Sequence, residues 1–154
     1  MAKIIIEGIP PLRELVGKEV AVSGWLEVTQ QRIDEFARAG GDFQWIHVDA
    51  ARAEKESVYG TTIAHGFLTL SLLSRLFADS IEMRGFRMSV NYGLNRVRFT
   101  APVPSGSRVR ARFTLGKYED LGGNGVQLTW NTLVELEGSD KPALVAEWLG
   151  RHFY

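Results

Sequence analysis

An aspartate and a histidine stand five positions apart in the segment Gly41–Asp49, which reads GDFQWIHVD. Asp42 supplies a carboxylate and His47 an imidazole, two groups that transfer protons near neutral pH. In the following segment His65 and Gly66 precede a run of apolar residues. A helix that begins at Gly66 exposes backbone N–H groups, which stabilise negative charge on a nearby oxygen. The two segments together predict proton transfer beside a polarised carbonyl group, and hence an enzyme.

Each of these residues also has a purely structural interpretation. Asp42 could serve only as a loop or helix-cap carboxylate, and His47 only as a structural histidine. For His65, hydrogen bonding that holds the loop is favoured over direct chemistry. The spacing of Asp42, His47, Asp49 and His65 does not match a known set of metal ligands, so we expect no metal.

The elements around this segment follow from local signals. A strand is predicted from Val20 to Val28, followed by Thr29 as the N-cap of an amphipathic helix over residues 30–39. Gly40 and Gly41 end that helix. Asp49 is in position to cap a further helical turn over residues 49–55. The acid and base candidates are therefore expected in a loop between two helical segments.

The next element is an apolar helix from Gly66 to Asp79, whose apolar residues do not fit one narrow stripe, so the rest of the fold should surround it. Beyond it, apolar and polar residues alternate over 96–101, 108–115 and 126–136, and a last strand is predicted from Ala143 to Phe153. Strands so close in sequence pair most simply as antiparallel neighbours. We expect an α+β fold in which a curved antiparallel sheet rolls round one long central apolar helix.

Composition narrows the classes of function. The 154 residues are 45% apolar, which suits a single domain over residues 1–154. Lys and Arg balance Asp and Glu at 18 each, which argues against a nucleic-acid or membrane binder. The absence of cysteine excludes disulfides, thiolate metal sites and cysteine nucleophiles. With no signal-peptide pattern and no apolar run long enough to span a bilayer, we expect a soluble, cytoplasmic protein.

The motifs resemble those of a known family. Residues 42–48 followed by Ile63-Ala64-His65-Gly66 resemble the MaoC-like, or (R)-specific enoyl-CoA hydratase, family of the hot dog fold. Residues 44–49 and 61–70 resemble its branch related to nodulation protein N. The resemblance extends roughly from Gly24 to Phe153. Many hydratases of the family have Asn-Pro where this chain has Gln44-Trp45.

The resemblance implies reversible addition of water to a trans-2-enoyl thioester. It implies Asp42 and His47 as the catalytic pair, and the amide of Gly66 as the donor that holds the thioester carbonyl. We expect Asp42 to be the principal base and His47 to orient the water. His65, Ser74 and Asn95 are secondary candidates for substrate binding; Ser74 lies where related hydratases carry a serine near the active site.

The same resemblance implies an acyl-CoA or acyl-carrier thioester as substrate, with no separate cofactor, and at least a homodimer. Arginines are candidates for contacts with the phosphates of such a substrate, although charges that alternate on a strand usually form a solvated face. They are Arg84, Arg87, Arg96, Arg98, Arg108, Arg110 and Arg112. Two alternatives remain open, namely a hot dog thioesterase and a non-catalytic acyl-CoA binding module.

Overall fold

A six-stranded sheet and one long helix form the centre of the molecule. The computed structural model describes residues 2–154. The elements in chain order are β1 (Ile4–Glu7), α1 (Pro10–Leu15), β2 (Glu19–Val22), β3 (Leu26–Glu27), α2 (Gln30–Gly40), α3 (Trp45–Val48), α4 (Ala50–Glu56), α5 (Gly66–Ser80), β4 (Ile81–Arg84), β5 (Met88–Phe99), β6 (Arg108–Gly122), β7 (Gly125–Leu136) and β8 (Leu144–Phe153).

The large sheet is antiparallel, with strand order β2-β6-β7-β8-β5 and with β3 paired beside β2 on β6. Alternate residues of β6 are buried, as the sequence pattern predicts. Phe77 of α5 makes edge-on contacts with Phe113 of β6, Trp130 of β7 and Trp148 of β8. One helical side chain thus contacts three neighbouring strands, which shows that the sheet curves round α5. The α+β hot dog architecture expected from the sequence is confirmed.

Several element boundaries differ from the prediction. The strand expected from Val20 to Val28 is two short strands, because Ser23 interrupts the ladder. The Ser23 backbone N–H donates to the Ala111 carbonyl (2.8 Å), and its Oγ accepts from the Ala111 N–H (2.9 Å). The predicted motif loop contains the short helix α3. β1, α1 and β4 were not predicted; β1 and β4 pair in parallel as a separate two-stranded sheet.

The edge strand β5 differs most from the prediction. It begins at Met88, well before the predicted start at Arg96, and its ladder with β8 shifts register between Asn91 and Gly93 and again between Leu94 and Arg96. Glycine and asparagine at these bulges resemble turn residues in the sequence. Most of β5 is solvent-exposed.

α5 is likewise open on the side of its first turn, where Phe67 is 70% exposed. The sheet covers the buried face of this helix, which includes Leu68, Leu72 and Leu76, and leaves Phe67 uncovered. Among the described residues, no helix is long and apolar enough to cross a membrane.

Candidate active site

The loop that carries Asp42 is fixed by the helices on either side of it. Thr29 caps α2 by accepting from the Arg32 N–H, and Gly41 ends α2 in the left-handed conformation (φ 76°), where glycine carries no steric cost. Asp42 Oδ1 then accepts from the Gln44 N–H (3.2 Å), which turns the chain into α3. Asp49 caps α4 as predicted, through the Arg52 N–H (3.0 Å).

Hydrogen bonds hold both the ring and the backbone of His47. Its side chain is 7% exposed, and its Nδ1 lies 2.7 Å from the Ile63 carbonyl oxygen. A carbonyl oxygen only accepts, so Nδ1 carries the proton and donates it, which leaves the Nε2 lone pair free. The Gln30 side chain donates to the His47 carbonyl (2.8 Å) and anchors the backbone. Burial lowers the pKa of His47, and the neighbouring His65 lowers it further. The ring is therefore neutral at pH 7 and can act as a proton acceptor.

His65 contacts both members of the predicted pair. It is 3% exposed, and its Nε2 lies 3.0 Å from the Asp42 carbonyl oxygen and 4.0 Å from Asp42 Oδ2. Its ring stacks on that of His47, with centroids 3.8 Å apart. This geometry favours the loop-holding role considered from the sequence over direct substrate binding.

Asp42, His47 and His65 each place one possible metal-ligand atom within 4.8 Å of the other two. The two imidazoles are stacked with only 28° between their planes, so their in-plane lone pairs do not converge on a common point. His47 Nδ1 and His65 Nε2 also point at backbone carbonyls. The donor set fits an acid–base pair with a supporting histidine better than a metal centre.

Gly66 is the first residue of α5, as predicted. A Cβ at this position would lie 2.8 Å from the ring of Phe99, so no side chain fits without displacing that ring. Gly66, His47, Tyr59, Thr69 and Phe99 are among the residues that line a cavity of about 300 Å³. His47 and the first turn of α5 therefore line the same cavity. Asp42, whose side chain is 57% exposed, lies beside His47 but outside the lining of this cavity.

The secondary candidates lie farther away. Ser74 is two turns along α5 and lines a different cavity, where its Oγ accepts from Asn91 Nδ2 at the long distance of 3.4 Å. Asn95 is exposed at a bulge of β5, and its side chain makes no hydrogen bond with any residue from 2 to 154. Asn91, not Asn95, is the residue that the fold brings to Ser74.

Several contact residues were missed by the sequence analysis. Gln30, Tyr59 and Phe99 reach the site from three different segments, and their types carry no signal of their own. Only the long-range pairing of the chain brings them to His47 and Gly66.

The candidate arginines divide into two groups. Arg84 pairs with Glu82, and the arginines of β6 pair with glutamates on or next to neighbouring strands: Arg108 with Glu137, Arg110 with Glu135, and Arg112 with Glu19 and Glu135. These pairs fit the solvated-face interpretation. Within residues 2–154, Arg87, Arg96 and Arg98 form no such ion pair and remain the candidates for a phosphate contact.

The chain is similar to proteins of known family. A family model described as "MaoC like domain" matches residues 12–135. A 3-hydroxyacyl-thioester dehydratase Z of Mycobacterium tuberculosis is 51% identical over 95% of this chain and 96% of its own. Nodulation protein N of Rhizobium leguminosarum bv. viciae is 48% identical over 87% and 84%. The unliganded R-hydratase PhaJ1 from Pseudomonas aeruginosa has the same fold, with a TM-score of 0.68, 24% identity, and 90% and 83% of the two chains covered.

Proposed function

Since this chain belongs to the MaoC-like domain family, we propose that it is a hydro-lyase that interconverts trans-2-enoyl and (R)-3-hydroxyacyl thioesters. The observation that carries the proposal is the similarity to a 3-hydroxyacyl-thioester dehydratase over nearly the full length of both chains. The geometry of Asp42, His47 and Gly66 supplies a mechanism for it. The resemblance inferred from the paired motifs is thereby confirmed at the level of family and reaction class.

The Asp42 carboxylate and the neutral Nε2 of His47 both accept hydrogen bonds, so a water between them points one O–H at each. In the hydration direction Asp42 takes a proton from this water, and the hydroxide adds to Cβ of the enoyl group. The electrons of the double bond move through Cα onto the thioester oxygen. The same proton is then returned to Cα, so that one water is added in all.

The negative charge that develops on the thioester oxygen needs donors that are already in place. The N–H groups of the first turn of α5 have no partner inside the helix and carry the positive end of its dipole. Donors aimed at an oxyanion in this way typically contribute about 10²–10³ in rate. The missing side chain at Gly66 lets the thioester approach the backbone closely, against the ring of Phe99.

The substrate is proposed to be a thioester of CoA or of a carrier protein, so CoA would be part of the substrate and no separate cofactor would be required. Arg87, Arg96 and Arg98 lie on or next to β5 and are free to meet its phosphates. We place the reaction in the cytoplasm, where CoA thioesters are formed.

A homodimer is proposed because β5 is an exposed edge strand. This strand of twelve residues has a neighbour, β8, on one side only, and it exposes apolar side chains that include Met88, Val90, Tyr92 and Leu94. A long, apolar, unpaired edge is the arrangement that proteins cover or pair. Pairing with β5 of a second copy would cover it, and the active site at Gly66 and Phe99 would then lie near the interface.

The first test follows the enoyl-thioester absorbance of a chain-length series of trans-2-enoyl-CoAs. Wild type should remove the signal, whereas Asp42→Asn and His47→Ala should lose at least about 10²-fold in kcat. Asp49→Asn is the matched control, because it removes a carboxylate of the same segment while an asparagine still caps α4. Release of free thiol without hydration would indicate a thioesterase. Tight binding with no conversion would indicate an acyl-CoA binding module.

A further inference from the structure

A second cavity, of about 290 Å³, lies between α5 and strands β5, β7 and β8. Most of its lining is apolar and includes Phe77, Trp130 and Trp148. Ser74 and Asn91 stand at the side nearest the active site, where they also line the next cavity along α5. None of the described residues that line it is a lysine or an arginine. The cavity therefore suits an uncharged, mainly apolar group.

One buried polar ring interrupts this lining. His152 is 6% exposed, and its Nδ1 shares a hydrogen bond of 2.8 Å with Ser89 Oγ. Its Nε2 is buried, and no residue from 2 to 154 provides it with a partner. Burial lowers the pKa of His152 to about 4, so the ring is neutral at pH 7. A buried nitrogen without a partner destabilises the fold, and a bound ligand that supplies the partner can offset that cost.

Space beside this nitrogen is kept free by a glycine. Gly150 lines the same cavity, and a Cβ there would lie 3.1 Å from His152 Nε2. Its backbone dihedrals are accessible to any L residue, so conformational freedom does not require a glycine here. A side chain at position 150 would therefore crowd His152 Nε2 at the margin of the cavity.

The cavity lies farther along α5 than the active site. Gly66 and Ser74 are eight residues apart on α5, which corresponds to roughly 12 Å along the helix axis at 1.5 Å per residue. Between them lies a smaller cavity of about 250 Å³, lined by Leu70, Leu73 and Leu94 and sharing Ser74 with the distal one. A chain attached to a thioester at Gly66 would follow α5 past these leucines. An extended chain advances roughly 1.2 Å per bond, so the distal cavity begins about ten bonds away.

We propose that this distal cavity binds the far end of the acyl chain and that His152 Nε2 hydrogen-bonds an uncharged oxygen on it, a hydroxyl or a keto group. The preferred substrates then carry such an oxygen about ten bonds or more from the thioester. This inference rests on the proposed hydratase function for the position of the thioester. A carboxylate is excluded, because it would lose its hydration in a lining without a cation. A plain alkyl chain would leave His152 Nε2 unpaired, and sites built to hydrogen-bond a group discriminate against analogues that lack it.

The kinetic test uses pairs of trans-2-enoyl-CoAs of equal length, with and without a hydroxyl group near the far end. In wild type we expect kcat/KM to be about tenfold higher for the hydroxylated member, which corresponds to one recovered hydrogen bond. His152→Phe removes the nitrogen, and Gly150→Ala keeps the histidine but crowds its Nε2. Both variants should bring the ratio close to one. A ratio that is already close to one in wild type, or that both variants leave unchanged, overturns the inference without affecting hydration itself.

A second measurement does not depend on turnover. The chain has three histidines, so ¹⁵N-histidine labelling gives a simple imidazole spectrum in which the His152→Phe variant assigns one ring. A non-hydrolysable acyl-CoA thioether with a distal hydroxyl should shift the Nε2 resonance of His152, and the alkyl thioether of equal length should not. Equal shifts with both ligands, or none with the hydroxylated one, contradict the inference. If no enoyl-CoA is hydrated but the selective shift is observed, the hydratase proposal fails and the distal site stands.

Discussion

The imidazole rings of His47 and His65 are stacked, with centroids 3.8 Å apart and 28° between their planes. His47 Nδ1 donates to the carbonyl of Ile63, which belongs to the second motif segment. His65 Nε2 lies 3.0 Å from the carbonyl oxygen of Asp42, which belongs to the first. The two sequence motifs are thereby joined at one buried point. The neighbouring His65 disfavours a positive charge on His47, which suits a proton acceptor at position 47.

The first prediction concerns the pH dependence of the reaction. Burial, reinforced by His65, lowers the pKa of His47 below 6.5. Because the neutral ring is the active form, kcat/KM should stay high as the pH falls through 6.5 and should decline only below that value. A pH–rate profile of kcat/KM measures this limb in the free enzyme. An acidic limb with a midpoint at or above 6.5 would contradict the assignment of His47 as a buried acceptor.

The second prediction separates the two contacts of His65. His65→Phe keeps a ring against His47 but loses the N–H that reaches the Asp42 carbonyl, whereas His65→Gln keeps a donor and loses the ring. If His65 positions Asp42, His65→Phe should lower kcat about tenfold or more, and His65→Gln should retain most of it. Steady-state kinetics of both variants on one enoyl-CoA show whether the hydrogen bond to Asp42 or the stacking on His47 matters more for kcat. In addition, the acidic limb of kcat/KM should move to higher pH in both variants, because both lose the titratable imidazole of His65 that lowers the pKa of His47.

The third prediction tests why residue 66 is a glycine. Gly66→Ala places a methyl group 2.8 Å from the Phe99 ring, and overpacking of this kind usually costs about 1–3 kcal/mol. We expect both Tm and kcat/KM to fall. Removing the Phe99 ring relieves this crowding. Gly66→Ala should therefore lower Tm less when it is added to Phe99→Ala than when it is added to the wild type. Recovery of kcat/KM together with Tm would mean that Gly66 serves packing alone, while continued low activity assigns the backbone at 66 to the thioester.

The fourth prediction concerns assembly. Lysine at an exposed apolar position of the β5 edge, as in Val90→Lys or Leu94→Lys, should prevent pairing with a second copy. Light scattering should then give half the wild-type mass, and activity should fall because the site lies next to β5. Val16→Lys is the control, since Val16 is similarly exposed but precedes β2, at the opposite edge of the sheet. A wild-type mass equal to that of one chain would overturn the dimer directly.

Local signals in the sequence were enough for the motif segments. Thr29 and Asp49 were predicted as caps from residue type and position, and both accept the expected N–H groups. Gly66 was predicted as the first residue of the central helix, and α5 begins there. In each case the relevant partner lies within a few residues, so the chain itself specifies the geometry.

Contacts that depend on strand pairing could not be predicted from the sequence. Asn91 meets Ser74, and Ser89 meets His152, only because β5 lies beside both α5 and β8 in one register. Two bulges shift that register, so even a correct prediction of β5 would not have identified which of its residues face α5. Asn91, which meets Ser74, was therefore not among the residues that the sequence analysis named.

The last prediction concerns stability and His152. Its pKa is about 4 in the folded protein, against about 6.5 for an unperturbed histidine. Between these two values the unfolded chain binds a proton that the folded protein does not, so the free energy of unfolding decreases as the pH falls from 6.5 towards 4. This difference in pKa corresponds to a contribution of about 3 kcal/mol to the free energy of unfolding. The contribution is fully present above pH 6.5 and fully lost below pH 4.

Urea unfolding of wild type and His152→Phe across this range measures the effect, because the phenylalanine has no proton to bind. The other titrating groups, including His47, are common to both proteins, so the difference between the two curves isolates His152. We expect the variant to gain about 3 kcal/mol relative to wild type on going from pH 7 to pH 4. Parallel curves would mean that His152 is solvated in the folded protein, which would also remove the buried, unpaired nitrogen on which the distal binding site depends.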